Sequence, residues 1–220
     1  MKYLTFRIDL TKPSETLWKN LNKKTRNAVR KAMKKEVTMR DVRGEEELKA
    51  YYKLYLSTQK RHGSPPNSFK LFKKIYDAFS RKNKAKVLLA EHERKPIAGI
   101  IAFCHNNIIY WWGNVTDSEH RSLNPTNLLL WKIIEWGADN GYQVLDLGRT
   151  RKETTIYRFK SGWGGKEGPL PDYVYFLNSK KMELPDPMRT RYTYLSKVWS
   201  FMPTGLAKRI GPKIVSGIAL

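Results

Sequence analysis

The sequence predicts an α/β domain of the mixed α+β kind, with a mostly antiparallel central sheet flanked by helices and a short helical C-terminal tail. Three observations predict it. Between residues 85 and 115 three apolar, β-branched and aromatic runs, "AKVLLAEHE", "KPIAGIIAFCH" and "NIIYWWGNV", are separated by the turn-forming stretches "ERK" and "NN", the pattern of an antiparallel meander. Amphipathic helical stretches stand before that meander, and a helix, a strand and another helix follow it. The chain has 220 residues, 40% of them hydrophobic, with 7 Trp and 12 Tyr, which is enough to bury the core of one domain.

The elements follow in order. "YLTFRID" (3–9) alternates like a strand. Ser14 then caps a helix over 14–36, with Glu15 favourable at its positive end and Leu17, Trp18, Leu21, Ala28, Val29, Ala32 and Met33 at helical spacing. Lysines and arginines cover the rest of that helix. Such a basic face is as consistent with a solvated surface as with a phosphate or membrane contact. "VTMRDV" (37–42) reads as a strand. "EEELKAYYKLYLSTQKRHG" starts acidic, ends basic and stops at Gly63, a complete helix. "SFKLFKKIYDAFSRKN" gathers Phe69, Phe72, Ile75, Tyr76 and Phe79 on one face. Beyond the meander, Asn124 caps a helix with Pro125 at its first position and Gly141 as its terminator. "QVLDL" is a strand, and a further helix begins near Thr154. From about Pro185 the composition shifts to two short apolar-basic helices, broken at Pro203 and Gly205 and again at Gly211 and Pro212. They are expected to pack on the domain or to lie on a membrane surface. The boundaries expected are 1–178 for the domain and 179–220 for the tail.

Charge speaks to partners. Lys+Arg 42 against Asp+Glu 20 gives a net charge of +22, a field that attracts nucleic acid, anionic lipid or phosphate-bearing substrates. The single cysteine, Cys104, excludes an intrachain disulfide and reads as inert packing in an apolar strand. His62, His92, His105 and His120 show no ligand spacing, so no metal site is expected. "MKYLTFRIDL" carries charges inside its apolar stretch, and no run reaches the length of a membrane span. The expected location is cytoplasmic, or peripheral at the inner face of the membrane.

Candidate functional residues cluster around "LDLGRTRKETTIYRFKSGWGG" (145–165). Gly148 lets the chain turn sharply at the carboxyl end of an interior strand, where open α/β sheets place ligands. Asp146 and Arg149 there support a polar site. Arg149 presents a planar fork for phosphate or carboxylate, and Asp146 orients it, accepts a proton or ties down the loop. Tyr157, Phe159 and Lys160 fall on the following helix, with Phe159 and Trp163 on one face. In "IIYWWGN" alternation sends Tyr110 and Trp112 to one face, a candidate floor for an acceptor groove, and Trp111 to the other.

The meander–helix–strand order resembles the core of the GNAT N-acyltransferase superfamily, and three strings resemble its FemAB-like branch. These are the basic helix "LWKNLNKKTRNAVRKAMKK", the hairpin strand "KPIAGIIAF" and the signature-like "LDLGRTRKETTIYRFKSGWGG". The best-known members of that branch add amino acids to cell-wall peptide precursors from aminoacyl-tRNA. The resemblance implies one acyltransferase unit in which Lys160 steadies developing negative charge or holds donor phosphate. The residues themselves leave the base open among Asp146, Tyr157 and a water, and offer Arg149, Phe159, Asn127, Tyr110 and Trp112 as candidate substrate contacts. Coenzyme A users place a glycine-rich loop before the helix after the meander; here that place reads "TDSEHRSLNPTN", leaving His120, Arg121 and Asn124 to bind an anion. The donor is therefore acyl-coenzyme A or aminoacyl-tRNA, and the acceptor an amine, such as a cell-envelope precursor. Helix 14–36 is the candidate contact for tRNA or an anionic membrane. A non-catalytic nucleic-acid-binding or membrane-surface protein is the alternative.

Overall fold

The structure, a computed structural model, describes residues 3–171, 173 and 190–217. Its elements are β1 (Tyr3–Asp9), α1 (Ser14–Asn20), α2 (Lys23–Lys34), β2 (Thr38–Asp41), α3 (Glu45–His62), α4 (Phe69–Phe79), β3 (Ala85–His92), β4 (Lys95–His105), β5 (Ile108–Trp111), β6 (Val115–Thr116), α5 (Pro125–Asp139), β7 (Val144–Asp146), α6 (Thr155–Ser161), β8 (Lys166–Leu170), α7 (Thr190–Phe201) and α8 (Thr204–Gly217).

The sheet runs β2-β3-β4-β5-β7-β1-β8, with β6 also pairing β4. Every pairing is antiparallel except β5 with β7. The predicted mixed, mostly antiparallel sheet with flanking helices is the fold observed. The meander strands are apolar on both faces because both faces are covered. Leu88 and Ala90 of β3, with Ala98, Ile100 and Ala102 of β4, join a core completed by α1, α2 and α5. Val87, Leu89 and Ile101 face the other way, against Leu48, Tyr51 and Tyr52 of α3 and Phe72 of α4.

Four features differ from the sequence reading. Residues 14–36 form two helices, not one: Leu21 is extended, and the Asn22 side chain accepts from the Thr25 amide at 2.7 Å, an N-cap that restarts the chain as α2. Arg26 closes the joint by donating to the Lys19 and Leu21 carbonyls, both at 2.6 Å. Residues 166–170, to which the sequence reading assigned no element, form β8 through register with β1, from Tyr3↔Leu170 to Arg7↔Lys166. Pro169 is tolerated there because β8 is the edge of the sheet among the described residues. β6, two residues long, was too short to carry a period. Finally, α8 runs through Pro212 without a break at Gly211. Gly211 is needed for close approach: a Cβ there would lie 2.5 Å from Pro66 Cδ.

The C-terminal helices touch the domain at the end of α3. Trp199 is buried, and the Ser196 hydroxyl donates to the His62 carbonyl at 3.1 Å. The expected boundary at 178/179 lies outside the described residues.

Candidate active site

The site is built where the parallel pair β5–β7 parts. β5 and β7 are in register for Ile108↔Val144, Ile109↔Leu145 and Tyr110↔Asp146. Beyond that, each chain bonds to a different neighbour. The Trp112 and Gly113 amides both donate to the Ile101 carbonyl on β4, at 3.1 and 3.0 Å. The Leu147 amide instead donates to Phe6 on β1 at 2.9 Å, and Leu4 and Thr150 exchange both backbone bonds. The gap opens at the carboxyl ends of the two strands, where Gly148 turns at φ +70°, a conformation that suits glycine.

A cavity of about 870 Å³ fills this gap. Its walls come from the ends of β5 and β7 (Trp111, Trp112, Leu147, Gly148, Arg149), from α6 (Thr155, Ile156, Phe159, Lys160) and from the start of α5 (Asn124 to Asn127). A second cavity of about 840 Å³ lies at the amino ends of the same strands, lined by Asn106, Asn107 and Tyr142 among others. Only the first lies where the backbone of an open sheet is left unpaired and can face a ligand.

Lys160 is the central polar group. Thr154 caps α6 by accepting from the Tyr157 amide at 3.0 Å, which fixes where the helix begins and so where Lys160 points. The Lys160 side chain is buried, and its Nζ donates to the Gly148 and Arg149 carbonyls at 2.9 Å each. An ammonium has three N–H groups, so one remains for a ligand. Burial pushes its pKa down to about 8, while the charge of Asp146 acts the other way.

Asp146 does not line the cavity. It accepts from Thr5 Oγ1, from Arg7 Nε at 3.0 Å and from the Gly148 amide at 2.8 Å, which places it as the anchor of the Gly148 turn. The Arg149 guanidinium lies 3.9 Å from the Tyr3 ring centroid, a cation–π contact, and the residue contributes to the cavity wall. Tyr157 turns away: its hydroxyl donates to Glu167 on β8 at 2.7 Å, a bond that raises its pKa. Tyr110 also lies outside the cavity, whereas Trp112 lines it. The two share a face as alternation predicts: Tyr110 pairs across the sheet with Phe103, and the Trp112 ring packs on Phe103 and Phe72, while Trp111 joins the opposite core. Tyr110 lies further from the open end of β5, and the bulge, where the Trp112 and Gly113 amides converge on one carbonyl, comes only after Trp112.

The end of the cavity nearest α5 is cationic. Arg121 and Asn124 line it, with Asn124 in the left-handed region at φ 56° and Asn127 on the first helical turn. His120 does not line it; its Nδ1 pairs with Asp117 at 2.9 Å. Sequence reasoning missed Arg61 and His62, which read only as the basic end of α3. Arg61 donates to the Thr116 carbonyl at 3.1 Å, while its buried Nε has no partner. Burial lowers the pKa values of Arg61 and His62, and the charge of Arg121 lowers both further. Cations that crowd one another in this way make a ready site for a phosphate-bearing group. No local signal links 61–62 to 121–127; only the tertiary fold does.

No carboxylate, Ser or Cys is among the residues that line the cavity. Cys104 is buried elsewhere, with its thiol pushed up by burial. The arrangement suits direct attack on a bound, activated carbonyl rather than a covalent enzyme intermediate.

A parallel pair that opens over a ligand-sized cavity, inside an otherwise antiparallel sheet, defines the N-acyltransferase class of fold. The chain belongs to the acetyltransferase (GNAT) domain family, whose profile matches residues 19–161. Over 158 residues it is 24% identical to the UDP-N-acetylmuramoylpentapeptide-lysine N(6)-alanyltransferase of Weissella viridescens, covering 70% of this chain and 46% of that protein. The chain thus spans about half the length of this curated relative. Among solved structures it superposes on FemX with a TM-score of 0.67 at 16% identity, covering 74% of this chain and 59% of that one. It also superposes on a GCN5-related N-acetyltransferase from Sphaerobacter thermophilus with a TM-score of 0.56 at 12% identity, covering 76% and 49%. These structural likenesses concern the fold; the relatives agree with the FemAB-like resemblance of the motifs.

Proposed function

We propose that this chain is an N-acyltransferase that moves an activated acyl or aminoacyl group onto an amine of a cell-envelope or peptide-like acceptor. The observation that carries the reading is the buried Lys160 ammonium, held at the mouth of the β5–β7 gap by the Gly148 and Arg149 carbonyls. The donor carbonyl sits in the gap. The acceptor nitrogen attacks its carbon, forming the C–N bond, while the carbonyl oxygen takes up negative charge beside Lys160. Collapse breaks the C–O bond of an ester or the C–S bond of a thioester, and the amine proton leaves with the released hydroxyl or thiol. Arg61 and Arg121 hold donor phosphate, Phe159 and Trp112 form the apolar wall, and Asp146 positions the turn that carries Arg149.

Aminoacyl-tRNA is the donor we favour over acyl-coenzyme A. The loop before α5 has no glycine pair to grip pyrophosphate, the relative's name specifies an alanyl group, and the basic faces of α1 and α2 supply phosphate contacts. The acceptor by the same reasoning is the lysine amine of a muramoyl peptide, and the setting cytoplasmic. Residues 1–178 form the catalytic unit and 179–220 the tail. A purely non-catalytic reading leaves the cavity unexplained.

The test is a donor screen. The chain is incubated with alanyl-tRNA or acetyl-coenzyme A and lysine-containing muramoyl peptides, and products are read by mass spectrometry. An aminoacyl mass increment on the peptide amine is expected. Transfer from acetyl-coenzyme A alone removes the tRNA assignment, and absence of transfer from either donor to any amine removes the enzyme.

A further inference from the structure

The two C-terminal helices turn apolar side chains to solvent. On α7, Tyr194, Val198 and Phe201 recur at i, i+4 and i+7, one helix face, and are 69%, 43% and 84% exposed. Trp199 points inward from the same helix and is buried. On α8, Leu206, Ile210 and Ile214 form one stripe, with Leu206 and Ile214 exposed, while Gly211 faces Pro66. At ~100° per residue, Arg209 and Lys213 flank that stripe on its open side.

The charge around these faces has one sign. No Asp or Glu follows Asp186, whereas Arg189, Arg191, Lys197, Lys208, Arg209 and Lys213 all do. Apolar side chains presented to water among cations alone match an interfacial amphipathic helix on an anionic surface. A second copy of the chain fits poorly, because like charges would meet. The basic helix α2 differs: its apolar side, Val29 and Ala32, is already in the core, so it offers charge without an apolar face.

We propose that α7 and α8 form a docking surface for an anionic lipid bilayer. Tyr194, Val198, Phe201, Leu206 and Ile214 enter the boundary between headgroups and acyl chains, and Lys197, Lys208, Arg209 and Lys213 meet the lipid anions. No helix among the described residues is long and apolar enough to cross a membrane, so the contact is peripheral. None of the residues that line the active-site cavity lies on α7 or α8, so lipid binding and acyl transfer are separable. The bond from Ser196 to His62 sets the lipid-facing helix beside the cationic end of the cavity.

The test is flotation of the full chain with vesicles of phosphatidylcholine alone and of phosphatidylcholine with phosphatidylglycerol at roughly 3:1. Binding to the anionic vesicles is expected, weakening as salt rises, with little binding to the neutral ones. The double variant F201S/L206S is expected to bind at least about tenfold more weakly, with melting temperature and transfer to a soluble amine unchanged. K208E/R209E/K213E is expected to lose binding as well. Equal binding to neutral vesicles, or wild-type binding by F201S/L206S, overturns the proposal. So does lipid-free self-association that F201S abolishes, which assigns the face to a second copy, and so does loss of all binding on K23E/R30E alone.

Discussion

Replacing Lys160 by Met removes the ammonium while keeping an unbranched stem in the same buried space. Two effects on stability oppose each other. In the wild type, burial lowers the amine from 10.5 to about 8, which corresponds to roughly 3 kcal/mol against the charged folded state at neutral pH. Met removes that penalty but leaves the Gly148 and Arg149 carbonyls without their donor, at about 1–3 kcal/mol each. The net change lies between about 1 kcal/mol gained and about 3 kcal/mol lost, less than the stability of a typical domain, so the variant is expected to fold. Catalysis has no such compensation: kcat should fall about 10²–10³-fold, the usual effect of losing one donor to a developing oxyanion. The pH dependence follows with a definite sign. Between about 8 and 10.5 the unfolded chain holds the proton that the folded chain has lost, so wild-type stability rises with pH across that window relative to K160M. Activity moves the opposite way: kcat/KM of the wild type falls as pH passes about 8 and the ammonium is lost. Urea unfolding of both proteins at a series of pH values, with single-turnover transfer assays, measures all three. A K160M enzyme with kcat within about twofold of wild type refutes the oxyanion assignment, and a wild-type rate that climbs through pH 8 makes Lys160 a base instead.

Other substitutions separate the roles further. R61A and R121A are each expected to raise the donor KM about tenfold or more with kcat nearly unchanged, as measured by steady-state kinetics at two ionic strengths. D146N leaves three donors with a poorer acceptor and should cost about 1–3 kcal/mol in urea unfolding; a larger proportional loss in kcat than in stability would place Asp146 in the chemistry itself. G211L drives a side chain into Pro66 and should release α8, seen as faster limited proteolysis after residue 200 with about 1–3 kcal/mol of local stability lost. Y157F should leave turnover unchanged, because its hydroxyl serves Glu167 rather than the cavity.

Much of the fold was legible because the signals were local. The apolar meander, the Gly63 stop, the Pro125 start and the Thr154 cap each depend on a few neighbouring residues, and each appears where the sequence put it. The misses have the opposite character. "KEGPL" has neither period nor propensity and is a strand only because β1 offers it a partner. The Pro212 break failed because Gly211 packs against Pro66, and that contact holds the helix on both sides of the proline. Asn22 carried a usable cap signal, but the long basic stretch around it hid the break between α1 and α2.

The same division runs through the site. By itself the sequence determined the turn after β7, the helix that carries Phe159 and Lys160, and the Asn124–Pro125 start of α5, since each is a short segment whose chemistry and conformation are set within a few residues. Only the tertiary structure decided which of these groups meet. It opened the β5–β7 gap by giving the two strands different partners, turned Tyr110 and Tyr157 outward, and brought Arg61 and His62 to Arg121 from the far end of α3. Those outcomes depend on hydrogen bonds and packing between segments many residues apart, and no local pattern encodes a partner that the chain reaches only once it has folded.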